Sequence, residues 1–306
     1  MNKVLIISDK RVGHESQSVA FARLKGMEYE ILEVKFSSKF QKALSYLLDF
    51  LGLYLKIFTS QKPLLNAYDM VISAGSSTYY ANKFYAKKFN CKNVALMLPK
   101  GFRKNFTKIF ATFNDLPDFN SDKLAFSKDN ITAMPVNLSF LEKKTYYNPT
   151  KKAVAFIVGG DNSAYKMDDD FVEKIKEIMQ KFEGYEFMIT TSPRTPKNIE
   201  NSLKALNFSF AVWYSENKIN PIYDFVNKSE WVFLSEDSVS MISSCVCEGV
   251  ANTAVIGLKQ INQNMKFKKF IEILNKLNLI EIYAPDRPLK GTKKLNLAKI
   301  LESEKI

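Results

Sequence analysis

"KVLIISDKRVGHESQ", Lys3 to Gln17, is a continuous apolar run that stops at Ser8 and gives way to charged and small polar residues. The run does not alternate, so it has no solvent-facing half, and such a strand belongs in a parallel sheet covered on both faces. A helical pattern follows from about Glu15, and the loop between them carries His14, the only histidine in the chain. Strand, polar loop and helix in that order are the opening unit of a doubly wound α/β domain.

The rhythm continues outward from that unit. "YEILEVK", an apolar helical stretch from Ala43 to Phe58, "DMVISAG", a helix across Thr78 to Phe89 and "NVALML" complete the first series. "LEKKTYYNPTKK" then interrupts it with clustered Lys, Asn, Thr and Pro, a linker signal that places a boundary near Pro149 and divides the chain into 1–148 and 149–306. The second series runs "AVAFIVGG", a helix from Asp168 to Phe182, "YEFMITTS", a helix after Pro196, "FSFAVWY", a short helix from Pro221, "WVFLS", a helix from Ser238, "TAVIGL" and a helix from Lys266 to Leu277. At 306 residues the chain suits two domains of about 150 residues each. The expected fold is two Rossmann-like, doubly wound domains facing a central cleft, with the last helix a candidate to pack back on the N-terminal domain.

Composition narrows the function classes. A hydrophobic fraction of 46% and a charged fraction of 25% are ordinary globular values. The formal charge of +12 favours anionic partners, whether nucleotide phosphates or anionic lipid headgroups. Nucleic acid is not expected, because the lysines are scattered and no RNA- or DNA-binding signature is present. Cys91, Cys245 and Cys247 lack the spacing of a disulfide framework or a zinc site, so no metal is expected. The N-terminal apolar run is too short for a secretion signal, which points to the cytoplasm. The stretch from Ala43 to Phe58 falls short of the roughly 20 residues that span a bilayer. It reads as a buried core helix in the first instance, and alternatively as a helix that lays an apolar face on an anionic membrane surface, giving a peripheral location at the inner membrane.

Ligands of open α/β sheets bind beyond the carboxyl ends of strands. Five polar loops sit there: "SDKRVGHESQ", "SAGSST", "GGDNSAY", "TTSPRTP" and "SEDSVS". None contains G-x-G-x-x-G or a Walker A pattern, which disfavours nicotinamide dehydrogenases and P-loop NTPases. Gly159 and Gly160 allow close backbone approach to a ligand, with Asn162 adding a short polar donor. Thr191, Ser192, Arg194 and Thr195, followed by Pro196 at a plausible first helical position, make an anion site in which Arg194 holds phosphate. Asp237 or Ser238 is a helix N-cap; in a nucleotide-sugar site Ser238 and Ser240 would face phosphate, and Glu236 or Asp237 would accept from a sugar or ribose hydroxyl.

Taken together, "DKRVGHESQS", "ISAGSST", "VGGDNSAY", "TTSPRTP", "NPIYDFV", "SEDSVSMIS" and "KFKKFIEIL" occur in the order found in the ELM-type mitochondrial fission family, whose bacterial members are also described as glycosyltransferases, and the chain resembles that family over nearly its whole length. The resemblance implies a GT-B architecture, with the acceptor received by the N-terminal domain and a nucleotide-activated donor by the C-terminal one. On that reading Gly13, Gln17, Gly75 and Ser76 lie on the acceptor side, and Tyr165 joins the donor residues named above. Three positions depart from the family pattern. Ser244 and Cys245 stand where Glu and a small residue are usual, Ser76 and Ser77 where arginines are usual, and Asn114 with Asp115 where a His-Asp pair is usual.

The implied activity is sugar transfer from a nucleotide-sugar to an envelope glycan or lipid-linked acceptor, with the nucleotide-sugar as substrate and no cofactor. His14 is the expected base, since an unperturbed imidazole titrates near neutral pH, and Asp9 is its substitute. Two other readings stand beside this one: a non-catalytic interaction protein that keeps the GT-B shell, and a nucleotide-sugar epimerase.

Overall fold

The computed structural model describes residues 3–100, 103–116, 124–262 and 265–304. The chain divides into two compact units, Met1–Phe140 with Leu297–Ile306, and Leu141–Asn296. The division lies a few residues before the boundary expected at 148/149. The intervening stretch is tied into the second unit: the backbone N–H groups of Tyr146 and Tyr147 donate to Asp224 at 2.6 and 3.1 Å, and the Tyr147 hydroxyl donates to Glu186 at 2.7 Å.

In the first unit, β1 (Lys3–Ser8), α1 (Val12–Leu24), β2 (Glu28–Lys35), α2 (Lys39–Phe50), β3 (Thr59–Ser60), β4 (Met70–Ala74), α3 (Tyr79–Phe89), β5 (Lys92–Leu96), β6 (Lys108–Thr112), β7 (Phe126–Lys128) and β8 (Ile131–Met134) follow one another. The sheet order is β3-β2-β1-β4-β5-β6-β8-β7. Its central strands are parallel and its two edge strands antiparallel. Apolar runs set this out: β1 and β4 are buried along almost their whole lengths, because helices cover both faces. The chain order reverses between β1 and β4, so the topological switch point lies there.

The second unit contains β9 (Ala153–Ile157), β10 (Tyr165–Lys166), α4 (Asp169–Lys181), β11 (Glu186–Thr190), α5 (Lys197–Lys204), β12 (Phe210–Val212), α6 (Ile222–Lys228), β13 (Trp231–Ser235), α7 (Val239–Cys247), β14 (Asn252–Ile256), β15 (Lys259–Gln260), α8 (Met265–Lys276) and β16 (Glu281–Ile282). Six of these strands form a fully parallel sheet, β12-β11-β9-β13-β14-β16, whose switch point lies between β9 and β13. Val154, Phe156, Phe233, Ile175, Ile178, Ile199 and Leu203 form its core, where strand side chains meet α4 and α5.

The last helix, α9 (Leu297–Ser303), belongs to the first unit. Lys25 Nζ donates to the Leu301 carbonyl at 3.3 Å, and Glu304 beyond the helix pairs with Lys108 at 2.5 Å.

The stretch from Ala43 to Phe58 is not one buried helix. The helix α2 ends at Phe50, and the backbone N–H of Gly52 closes it on the Asp49 carbonyl at 3.1 Å. Only Ser45 and Leu48 are buried on α2, with Phe58 buried further on, whereas Phe40, Leu47, Phe50, Leu51, Leu53 and Leu55 are exposed. The reason is geometric: α2 lays one stripe on α3, and an apolar circumference has no second partner in this unit. Among the described residues no helix is long and apolar enough to cross a membrane.

Candidate functional site

Both switch points collect polar side chains, and they do so differently. At the first, β1 ends at Ser8, whose hydroxyl accepts from the Lys10 N–H at 3.0 Å and donates to Glu15 at 2.6 Å. Lys10 takes a left-handed backbone, φ 63°, and the chain turns at once into α1. The helix therefore starts at Val12, three residues before the Glu15 start expected from the pattern, and His14 lies in its first turn rather than in a loop.

That turn brings Asp9 against His14. The imidazole Nδ1 lies 3.0 and 3.2 Å from the two Asp9 oxygens. The side chains are 18% and 8% exposed. A carboxylate accepts only, so Nδ1 carries a proton, and in the neutral ring this leaves the lone pair on Nε2. Nε2 has no hydrogen-bond partner among the described residues. The two candidates named from sequence as alternatives thus form one unit, the carboxylate orienting the ring. Gly75, from the loop after β4, completes it: its φ is +88°, and a Cβ there would lie 2.3 Å from His14 Cε1. Gly75 holds its place because the imidazole packs over its backbone.

The other residues assigned to the acceptor side have plainer surroundings. Gln17 donates to the Gly13 carbonyl at 3.1 Å, no heavy atom lies within 4 Å of the Gly13 Cβ position, and Ser76 is exposed. Thr78, unremarked in sequence, shapes the Gly75 loop by donating to the Ala74 and Gly75 carbonyls.

Beside the pair lies an open cavity of about 800 Å³. It reaches from Asp9 past the ends of β2 and β3 to the start of α2 and Ser77. Lys35, Lys39 and Lys42 line it, and nothing in the sequence reading singled them out, because strand-end and helix-start lysines look like any solvated charge.

At the second switch point the polar groups satisfy one another. Asp237, 0% exposed, accepts from Arg194 Nη2 at 2.6 Å, from Gly160 N–H at 3.2 Å and from the Ser235 hydroxyl at 2.5 Å. Ser235 in turn accepts from Gly159 N–H at 2.7 Å, and Ser192 and Thr195 donate to the Gly159 carbonyl at 2.7 and 2.5 Å. The two glycines are explained by this crowding: a Cβ on Gly159 would meet the Asp237 carboxylate at 2.2 Å, and one on Gly160 the Arg194 carbonyl at 2.0 Å. Asn162 bridges the cluster, donating to the Asp237 carbonyl at 3.1 Å and accepting from Ala164 and Tyr165 N–H groups at 2.7 and 2.9 Å. Ser235 was not among the residues singled out from sequence, although its place at the end of β13, next to β9, is a signal for it.

Several sequence-based roles change accordingly. Asp237 was expected to accept from a sugar or ribose hydroxyl, but its carboxylate is fully buried and engaged by three donors. The Thr191 hydroxyl donates to Glu200 at 2.7 Å and accepts from Tyr214 N–H at 2.8 Å, so it ties α5 to the sheet instead of joining the cluster. Pro196 is the N-cap of α5 and not its first helical residue, and Ser238 caps α7 by accepting from Met241 N–H at 3.4 Å. Burial raises the Glu236 carboxyl, with Asp237 adding to the rise and Lys174 opposing it; one Glu236 oxygen accepts from Leu258 N–H at 2.6 Å. Tyr165 is raised to about 12, first by burial and then by the Glu236 and Asp237 carboxylates. Arg194, with its side chain 39% exposed, and the exposed Ser240 are the members that face solvent.

The cysteines stay outside this chemistry. All three are free thiols, and burial raises Cys91 to about 11 and Cys245 to about 12. Among the described residues no cluster of His, Cys, Asp and Glu is arranged to hold a metal.

Comparison with known proteins joins these features. An uncharacterized protein of Rickettsia prowazekii (strain Madrid E) is 23% identical over 92% of this chain and 90% of its own length. Among solved structures, the glycotransferase of kitacinnamycin superposes with a TM-score of 0.50 at 10% identity, covering 93% of this chain and 86% of the other. The UDP-GlcNAc 2-epimerase of Neisseria meningitidis, bound to UDP-GlcNAc, gives 0.47 at 11% identity over 94% and 88%. The first of these two likenesses agrees with the strand orders above: the fold is that of GT-B glycosyltransferases, α/β with Rossmann-like parallel sheets. The sequence model of the mitochondrial fission ELM1 family matches residues 12–302, nearly the whole chain, and this protein belongs to that family.

Proposed function

We propose that this chain is a glycosyltransferase that moves a sugar from a nucleotide-activated donor to a hydroxyl of a cell-envelope glycan or lipid-linked acceptor. The observation that carries the reading is the Asp9–His14 pair at the first switch point, in which Nε2 has no hydrogen-bond partner among the described residues and Asp9 borders an open cavity. An orienting carboxylate on Nδ1 and an unoccupied Nε2 are what a general base needs. The acceptor hydroxyl gives its proton to Nε2 while its oxygen bonds to the anomeric carbon. The bond from that carbon to the donor phosphate breaks, and the nucleotide departs with the electron pair. Asp9 stays ionised and stabilises the imidazolium that forms.

Charge on the departing phosphate falls to the second unit. Arg194 offers N–H groups beyond the one given to Asp237, and the start of α7 presents backbone amides beside Ser238 and Ser240. These groups do the work that a metal does in other transferases. A lipid-linked acceptor at an anionic inner-membrane surface is supported by the exposed Phe40, Leu47 and Phe50 on α2, with Lys39 and Lys56 nearby in the chain.

The test is direct. Thermal-shift screening against UDP-, GDP-, CMP- and dTDP-sugars identifies the donor, because ligand that binds only the folded state raises the melting temperature. With that donor, His14→Ala removes transfer to envelope acceptors and leaves the donor-induced shift intact. No shift with any donor, or undiminished transfer by His14→Ala, overturns the reading. Donor conversion without acceptor would identify an epimerase instead.

A further inference from the structure

The cavity beside the Asp9–His14 pair has a charge imbalance that the catalytic pair does not use. Its cationic lining side chains are Lys10, Arg11, Lys35, Lys39 and Lys42, against Asp9 and Glu33. Both acids are already engaged: Glu33 with Lys10 at 2.8 Å, and Asp9 with His14 at 3.0 Å and Arg11 at 3.8 Å. Lys42 donates only to the Ser77 hydroxyl, at 3.2 Å, and Lys35 and Lys39 have no acidic partner within 4 Å among the described residues. Three like charges held around one concavity repel one another, and a bound anion relieves that repulsion. At about 800 Å³ the space lies within the range of small-molecule sites, roughly 300–1,000 Å³, and exceeds the needs of a lone inorganic ion. Ser38, Ser60 and Ser77 add hydroxyls for a ligand with further oxygens.

We infer that this cavity binds the phosphate or diphosphate group of the acceptor, so that the acceptor is a phosphorylated glycan carrier rather than a neutral sugar. The inference rests on the transferase reading above and names its substrate class. Lys35, Lys39 and Lys42 neutralise and hold the phosphate, and because Asp9 lines the same cavity, a phosphate held there lies in the neighbourhood of the Asp9–His14 pair.

Inorganic pyrophosphate is the probe, titrated calorimetrically into the full chain, and lysine variants assign the binding to this cavity. Binding is expected, weakening as salt is raised. Lys35→Gln with Lys39→Gln should weaken it about tenfold or more, because two of the three unpaired charges are gone. Lys128→Gln with Lys144→Gln, which changes net charge equally at exposed positions elsewhere, should leave it unchanged. No binding, or equal loss in both double variants, overturns the site; retained circular dichroism and melting temperature exclude misfolding as the cause of a loss. Competition by a soluble hexose 1-phosphate identifies a free acceptor, and competition by phosphatidylcholine vesicles carrying a polyprenyl diphosphate identifies a lipid-linked one. Competition by neither overturns the acceptor assignment. The two readings fail separately: pyrophosphate bound through these lysines without any sugar transfer sinks the transferase, whereas transfer whose KM for a phosphorylated acceptor ignores Lys35→Gln with Lys39→Gln sinks this inference.

Discussion

The ion pair between Arg194 and Asp237 makes an asymmetric prediction. The carboxylate is fully buried and the guanidinium is 39% exposed, with 2.6 Å between Nη2 and Oδ2. Removing the cation by Arg194→Gln leaves an uncompensated buried charge, at a cost of about 3–5 kcal/mol. Removing the charge on the other side, by Asp237→Asn, keeps an amide oxygen for Gly160 or Ser235 and leaves an arginine that can turn to water. That loss is of a charge-assisted hydrogen bond, about 1.5–3 kcal/mol. The more exposed partner is therefore the more costly one to mutate. The assay is selective, because both tryptophans, Trp213 and Trp231, lie in the second unit, so urea titration followed by their fluorescence reads that unit alone. In thermal terms the two changes correspond to roughly 6–20 °C and 3–12 °C for a unit of this size. The double variant should recover part of the Arg194→Gln loss, with a coupling energy of about 1 kcal/mol or more. Asp237→Asn costing as much as Arg194→Gln, or a coupling energy near zero, would refute the assignment of a buried, ion-paired carboxylate.

Other consequences are independent of this one. Gly75→Ala forces a Cβ into the His14 ring on a left-handed backbone, and should cost about 1–3 kcal/mol of first-unit stability and misplace the base, seen as a fall in kcat larger than the change in donor affinity. Glu304 sits below the usual carboxyl range: burial raises it, but hydrogen bonds from Lys108, Ser127 and Thr132 outweigh that. A depressed folded-state value contributes stability that is complete above the unfolded value near 4.5 and is lost as pH falls through the folded value, so Glu304→Gln should destabilise the first unit at pH 7, and by progressively less as pH is lowered below 4.5, in chemical denaturation. Phe50→Ser and Leu47→Ser remove exposed apolar groups from α2; co-sedimentation with phosphatidylglycerol vesicles should fall severalfold with melting temperature unchanged, and equal sedimentation would remove the membrane reading.

The sequence carried the architecture because burial on both faces leaves a local mark. The runs "KVLIIS", "DMVISAG" and "AVAFIVGG" became β1, β4 and β9, which form or flank the two switch points. The strands β6 to β8 had no such mark: Lys108 and Thr112 in β6 and Thr132 in β8 break the apolar run although these strands are largely buried, and β7 is exposed at a sheet edge. The α2 stretch misled for the opposite reason, since apolar composition reports what a side chain prefers and not whether the fold supplies a partner. The site was legible as a set of loops sharing one end of each sheet. Its internal pairings were not, because contacts such as Ser235 to Gly159 or Asp9 to His14 depend on side-chain directions that spacing does not encode.

The contrast between the two switch points also bears on how a donor would bind. In the first unit the functional capacity is unspent: among the described residues His14 Nε2 has no hydrogen-bond partner, and Lys35, Lys39 and Lys42 have no acidic partner. In the second, Arg194 already answers Asp237, and the Gly160 N–H already answers the same carboxylate. If Arg194 holds the donor phosphate as proposed, the phosphate shares it with a fully buried carboxylate, and the like-charge repulsion between phosphate and Asp237 opposes binding. Donor affinity in Asp237→Asn should then rise even as the unit loses stability. Unchanged or weaker donor binding by Asp237→Asn would refute Arg194 acting as both strut and phosphate ligand.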